Sequence, residues 1–369
     1  MQIGILKENR AHENRVAGTP ESVKKLLKNK VSIAIEKDAG LSAGFRSADY
    51  STPAEASRAA VLQSDVVFSV RLPSAEDISR MKKGGLLVCF TEPPLSPAVA
   101  SALQQNSINC MSVEMIPRIS RAQSMDALSS QANIVGYRAV LEASNRYGRF
   151  LPMNMTAAGM AKPARVLILG AGVAGLQAIA TAKRLGSKVE AFDVRSEVKE
   201  QIESLGAKFF EVSLQEEGAG QGGYAKALSE ESQNRIREAI AEKCKSIDIV
   251  ISTASIPGRK APLLLTETAV KNMRTGSVIV DLAAATGGNC ALTQADQSIQ
   301  MHGVHIIGIT YFASLIPTDA SNFYAQNLVN LSALFLKEEN GDCQLNLDLS
   351  DEIILKSLVC HQGKLKDTA

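Results

Sequence analysis

The tightest constraint on this chain is the turn Gly170-Ala171-Gly172-Val173-Ala174-Gly175, which follows the apolar run Arg165-Val166-Leu167-Ile168-Leu169 and opens a helix-forming stretch from Val173 to Leu185. A G-x-G-x-x-G string alone carries little information. Between a strand and a helix it specifies a dinucleotide-binding βαβ unit. Gly170 permits the tight turn, Gly172 lets the backbone approach a pyrophosphate, and Gly175 lets helix and strand pack closely. The helix start at Val173 offers unpaired N–H groups and a partial positive charge to phosphates. The next strand, Lys188 to Asp193, ends on an acid near the expected interval of about 20 residues from the first glycine, which marks Asp193 as the ribose-binding carboxylate. Val194 and Arg195 complete the cofactor-binding positions there. A carboxylate repels a 2′-phosphate and favours NAD over NADP, whereas the Arg195 guanidinium could receive that phosphate.

Short β-branched runs alternate with amphipathic stretches along most of the chain, the pattern of parallel strands joined by crossover helices. The early strands are expected at Ile3–Leu6, Val31–Ile35, Val66–Val70, Leu86–Phe90 and Ile108–Val113. The later ones are expected at Val166–Leu169, Val189–Val194, Ile247–Ile251, Val278–Asp281 and His305–Ile309. The series resemble each other: Asp65-Val66-Val67 matches Asp248-Ile249-Val250, and Met81-Lys82-Lys83-Gly84 matches Met273-Arg274-Thr275-Gly276. Any helix-to-strand joint favours such a basic-Gly step, so coincidence stays open. With 369 residues, the chain exceeds one ordinary core. The expected fold is α/β, two Rossmann-like doubly wound parallel-sheet domains joined by long helices. Residues 1–128 with 311–369 would form a discontinuous N-terminal domain, and 129–310 the NAD-binding one. The connectors are expected as one long helix from Gln123 to Tyr147 and a second from Ser321 to Lys337. Ser213 to Tyr224, with Gly218, Gly220, Gly222 and Gly223, reads as a loop of the kind that acts as a lid or stays disordered.

A net charge of +2 without a dense Lys/Arg run argues against nucleic acid. Charges at Lys7 and Glu8 interrupt any secretory signal, and Val166–Ala182 is too short and too glycine-rich to cross a membrane, so a cytoplasmic chain with no direct membrane insertion is expected. Six scattered cysteines without a C-x-x-C pair point to reduced, structural thiols and no metal site.

Four segments, Glu13-Asn14-Arg15-Val16-Ala17-Gly18-Thr19-Pro20, Arg118 to Tyr137 with its core Arg121 to Gln131, the glycine turn, and Gly222-Gly223-Tyr224-Ala225-Lys226, carry a family likeness. Through them nearly the whole chain resembles the soluble NAD(H)-binding component of proton-translocating NAD(P) transhydrogenase, in the alanine dehydrogenase-like superfamily. The resemblance implies that NADH bound here passes a hydride directly to NADP(H) held by a separate subunit, coupled to proton movement through a membrane component. Partners would be NADP-binding and membrane-spanning subunits, with a homodimer expected and attachment to the inner membrane through those partners. It places Arg118, Gln123 and Asp126 as catalytic positions, with Ser129, Gly223, Tyr224 and Ser255 binding cofactor. Gln123, Asp126 and Ser129 step by three, within one sector of the expected helix; otherwise Asp126 merely favours the helix start. Ser255 stands where the family usually has leucine, and Ala283-Ala284-Ala285-Thr286-Gly287-Gly288 lacks an acid that some relatives carry. The chain stops at Ala369 with no apolar helix after Leu355, as expected where the membrane components are separate polypeptides, and equally where a longer chain is truncated.

Hydride transfer between nicotinamides releases no substrate proton and needs ring alignment more than a base. Alanine dehydrogenases, the first alternative, need a Lys on the third strand to fix substrate and a His after the fourth as base. Those places read Val70-Arg71-Leu72 and Cys89-Phe90-Thr91-Glu92. A non-enzymatic NAD-sensing module is the second alternative. The run Lys7 to Arg15 either presents Arg15 to the site or forms a solvated turn.

Overall fold

The β-branched runs become strands of two sheets, each belonging to its own unit: Met1–Gln131 with Ala313–Ala369, and Ala132–Phe312. The computed structural model describes residues 1–51, 55–92, 94–213, 229–256, 259–339 and 341–366. In the first unit, β1 (Gln2–Ile5), β2 (Ser32–Glu36), β3 (Glu55–Ala56), β4 (Val66–Arg71), β5 (Leu86–Phe90) and β6 (Asn109–Ser112) pair in parallel in the order β3-β2-β1-β4-β5-β6. In the second, β7 (Asn154–Thr156) and β8 (Gly159–Ala161) form a separate hairpin. There β9 (Arg165–Leu169), β10 (Lys188–Phe192), β11 (Lys208–Phe209), β12 (Ile249–Ser252), β13 (Val278–Asp281), β14 (Ser298–Met301) and β15 (Val304–Ile307) run in the order β11-β10-β9-β12-β13-β15-β14. The C-terminal stretch adds the hairpin β16 (Leu336–Glu339) and β17 (Asp342–Leu345), then β18 (Leu358–His361) and β19 (Lys364–Leu365), which extend the first sheet beyond β6. Both sheets reverse direction of growth beside their first strand, the doubly wound Rossmann arrangement.

The likeness of the two series is structural as well. Asp65, just before β4, accepts the Gln2 N–H at 2.7 Å and pairs with Lys82. Asp248, just before β12, accepts the Arg165 N–H at 2.9 Å and pairs with Arg274. Each acid thus satisfies the first donor of the first strand in its unit's main sheet. Gly84 and Gly276 both take positive φ, 77° and 83°, where a side chain would be strained.

Some expectations change. The sheets are not wholly parallel, because β14, β18 and β19 pair antiparallel at the edges. The helix expected from Ser321 runs from Pro317 to Phe335 and lies within the first unit, where Tyr324, Leu328, Leu331 and Phe335 are buried in its core. It is a core element rather than a linker, because its apolar stripe faces that sheet. The six cysteines are buried free thiols. Among the described residues no helix is long and apolar enough to cross a membrane, and no cluster of His, Cys, Asp or Glu could hold a metal ion.

Candidate functional site

β9 ends at Leu169 and the helix Val173–Arg184 begins immediately after the glycine turn. Gly170 has φ 98°, and a Cβ there would lie 2.6 Å from Thr253 Oγ1. A Cβ on Gly175 would lie 1.9 Å from the Gly170 carbonyl oxygen, so strand and helix touch through the missing side chains. Thr253, following β12, donates its hydroxyl to that same carbonyl at 3.0 Å.

Gly172 differs from both. Its backbone, φ −76° and ψ −170°, suits any residue, and a Cβ there would meet nothing within 4 Å. Among the described residues nothing requires glycine at 172, so its backbone is open to close approach by a ligand. A pyrophosphate fits that open cradle; Val173, the first helical residue, is exposed beside it. Gly172→Ala is therefore expected to keep stability within about 0.5 kcal/mol of wild type while weakening NADH binding about tenfold or more, the equivalent of about 1.4 kcal/mol. Denaturant unfolding and NADH titration on the same samples check this; equal loss in both would make the glycine structural.

Asp193 stands one residue beyond β10 rather than ending it. Its carboxylate accepts the Ala171 N–H at 2.7 Å, tying the turn to the second strand. Arg195 closes on the same carboxylate, with Nε to Oδ1 at 2.9 Å and Nη2 to Oδ2 at 2.8 Å, and its pKa is raised by that bond. The guanidinium read as a possible phosphate receiver thus serves the acid beside it. Val194 is partly buried against the second unit's core. Ser255 is exposed beyond β12. Gly223 and Tyr224 lie outside the described residues.

In the first unit the expected long helix splits. Ser120–Met125 forms a tight 3-10 turn and the α-helix spans Ala127–Arg146. Asp126 caps the helix, its carboxylate accepting the Ser129 N–H at 2.8 Å and the Ser129 hydroxyl at 2.6 Å. A short acid that bonds the backbone ahead of it stops a helix from extending backward. Gln123, Asp126 and Ser129 therefore do not share one helix face: Gln123 is exposed on the 3-10 turn, while Asp126 and Ser129 form a bonded pair. Arg118 is exposed before that turn. The turn is held by Asn327 and Asn330, whose amides both donate to the Ser124 carbonyl at 2.9 and 2.8 Å. No sequence signal marks those two asparagines. Arg121 makes a bidentate pair with Asp351, at 2.7 Å each, which is an anchoring role.

At the carboxyl ends of β1 and β4, the reversal point of the first sheet, lies a dense ionic cluster. Glu13 and Arg15 are 8% and 4% exposed, so neither lies in a solvated turn, whereas Asn9 to His12 form an exposed one. Glu13 accepts Arg15 Nε at 2.7 Å and Nη2 at 2.6 Å, and Arg71 Nε at 2.9 Å. Arg71 also pairs with Glu92. Burial opposes the Glu13 charge, but Arg15 and then Arg71 outweigh it and hold the carboxyl at about 2. The positions where an amino-acid dehydrogenase would keep a substrate-fixing cation and a base are thus bonded into one network.

Comparison with known proteins agrees over nearly the whole length. The model for the alanine dehydrogenase/PNT N-terminal domain matches residues 4–135 and that for the C-terminal domain residues 139–368. NAD(P) transhydrogenase subunit alpha of Haemophilus influenzae is 46% identical over 372 residues, covering 99% of this chain and 71% of that one. The first part of NAD(P) transhydrogenase subunit alpha of Rhodospirillum rubrum is 42% identical over 376 residues, covering 99% and 97%. The crystal structure of transhydrogenase from Sinorhizobium meliloti superposes with a TM-score of 0.86 at 38% identity, covering 99% and 98%.

Proposed function

Because the chain belongs to the alanine dehydrogenase/PNT family and, within it, to the NAD(P) transhydrogenase alpha subunits, we propose that it binds NAD(H) and exchanges hydride between NADH and NADP held by a separate subunit, in step with proton movement through a membrane component. The observation that carries this reading is the turn at Gly172, whose glycine answers to no neighbour among the described residues. Gly170, Gly172, Val173 and Gly175 would hold the pyrophosphate, with Asp193, Val194 and Arg195 at the ribose. Ser255 would stand at the adenosine, and Gly223 and Tyr224 would add to the cofactor-binding set. When bound, NADH supplies the hydride. Arg118, Gln123, Asp126 and Ser129 would orient the nicotinamide and its ribose, the Asp126–Ser129 bond fixing two of the four. The Arg71–Glu13–Arg15 network supports transfer between nicotinamides over alanine oxidation, since Arg71 and Glu13 are bonded to each other rather than held for a substrate carboxylate and amine. A homodimer attached to the membrane through partner subunits completes the proposal.

Mixing this chain with the NADP-binding subunit is expected to give NADH-dependent reduction of NADP, where the chain alone gives little. Brisk alanine-dependent NAD reduction instead would overturn the reading. Gln123→Ala is expected to slow transfer in the mixture about tenfold or more while NADH affinity changes about twofold, because a group that aligns rings acts on the transition state more than on binding. Equal losses in rate and affinity would reduce Gln123 to a binding contact.

A further inference from the structure

The ionic cluster begins at an irregularity in β4. The register of β4 with β5 shifts between Phe68 and Arg71, and such irregularities re-aim side chains near functional sites. Here the N–H groups of Val70 and Arg71 donate to the Glu8 carboxylate at 2.6 and 3.3 Å, while the Tyr324 hydroxyl donates to the Ser69 carbonyl at 2.8 Å. The strand end is clamped from both sides. Beyond it the contacts continue: Arg71 to Glu13, Glu13 to Arg15, and Arg15 Nη1 to Gln131 Oε1 at 2.8 Å. Gln131 donates in turn to the Ala320 carbonyl at 3.0 Å and sits in the first turns of the helix capped by Asp126.

We propose that Glu8 is a positioning residue: its proton occupancy sets how the end of β4 presents Arg71, and Glu13, Arg15 and Gln131 pass that state to the helix start carrying Asp126 and Ser129, so that NADH binding by this chain is proton-sensitive. The inference rests on the nucleotide role proposed above for that helix start. Burial is the largest influence on Glu8 and pushes its carboxyl up to about 7; the Val70 N–H opposes, the Glu13 charge adds, and the Arg71 N–H and Arg15 oppose. The other groups facing Glu8 are Arg71 on β4, Cys89 on β5 and Tyr324 on the helix Pro317–Phe335. Glu92 faces Arg71, and Glu114 faces both Cys89 and Tyr324. Burial pushes Cys89 and Tyr324 up, so both are neutral at pH 7, and Glu13 stays ionised. Neutral Glu8 leaves Arg15 to Glu13 and Gln131, and Arg71 to Glu13 and Glu92. Ionised Glu8 adds a second carboxylate that competes for them and loosens the relay to Gln131.

The test compares wild type, Glu8→Gln and Gln131→Met from pH 5.5 to 8.5, by NADH titration and by thermal unfolding without nucleotide. Wild-type NADH affinity is expected to fall about threefold or more as pH rises through neutrality, the ratio set by a half-unit change in the Glu8 pKa on binding. Glu8→Gln keeps the low-pH affinity throughout. The thermal arm has a fixed sign: a carboxyl raised from 4.5 to about 7 in the fold contributes stability that is complete below 4.5 and lost as pH rises through about 7. Glu8→Gln therefore gains melting temperature over wild type toward pH 8.5. Gln131→Met leaves Glu8 titrating, so it keeps the wild-type thermal profile but loses the step in NADH affinity. Superimposable affinity profiles for wild type and Glu8→Gln, with NADH bound by both, would overturn the inference and leave the proposed function standing. A step that persists in Gln131→Met would overturn the relay. Wild type that binds no NADH at any pH would remove the proposed function itself, and the inference with it.

Discussion

Gly136→Ala is expected to destabilise the second unit by about 3 kcal/mol and to remove most NADH binding, although alanine ordinarily improves a helix interior by about 1 kcal/mol. Gly136 lies within the helix Ala127–Arg146, and a Cβ there would stand 2.1 Å from the Ala174 carbonyl oxygen and 3.0 Å from its Cα. Those are backbone atoms and cannot swing aside. Ala174 belongs to the glycine turn, so relief requires moving the start of the dinucleotide helix. Asn133, on the same helix, donates to Gln177 at 3.1 Å and resists that movement. Gly148→Ala, with no described residue within 4 Å of its added methyl, is the control and should stay within about 0.5 kcal/mol of wild type. Denaturant unfolding with NADH titration reads both; an unchanged or raised midpoint for Gly136→Ala would mean the close approach carries no weight.

The outline of the two sheets was open to reading from sequence because buried parallel strands are continuous β-branched runs, and Leu86–Phe90 and Val278–Asp281 fall where periodicity puts them. The Asp65 and Asp248 likeness was equally visible, since each acid meets the same first-strand donor. Helical spacing alone hid the break before Ala127, because Asp126 reads the same on a helix face as at its cap. The difference lies in whether its carboxylate turns back to the Ser129 N–H, and that depends on Asn327 and Asn330 holding Ser124 across some two hundred residues of chain. Glu8 was hidden for a similar reason. In the run Lys7 to Arg15 it looks like one charge among many, and only the folded β4 supplies the two N–H groups that bond its carboxylate. Asp193 and Arg195 show an intermediate case: the spacing marks the acid, but not that the nearby guanidinium is committed to it.

The same unit should be still more sensitive at Asp281, where Asp281→Asn is expected to cost about 3–5 kcal/mol, two or more buried donors being left unsatisfied at about 1–3 kcal/mol each. The Asp281 side chain is fully buried at the end of β13. It accepts from the N–H groups of Ala283, Asn289 and Cys290 at 3.0, 2.8 and 3.0 Å. It also accepts from the Ser252 and Thr293 hydroxyls at 3.2 and 2.6 Å. An amide supplies one oxygen and turns an NH2 toward donors that it cannot satisfy. Gly288, at φ 78°, leaves room for this hub, since a Cβ there would lie 2.8 Å from Asp281 Oδ2. Through the hub, Asn289 donates to the carbonyls of Ala254 and Pro262, both at 2.8 Å, and so holds the segment carrying Ser255 next to Thr253 and the glycine turn. Loss of NADH affinity should accompany the loss of stability in Asp281→Asn. Asn289→Ala separates the two effects: Asp281 keeps its main-chain donors, so stability falls less, while the freed carbonyls of Ala254 and Pro262 release the stretch proposed above to stand at the adenosine and affinity drops as far. Urea unfolding and NADH titration of both variants decide the matter, and an Asp281→Asn protein within about 1 kcal/mol of wild type would mean that the carboxylate is not what organises this wall.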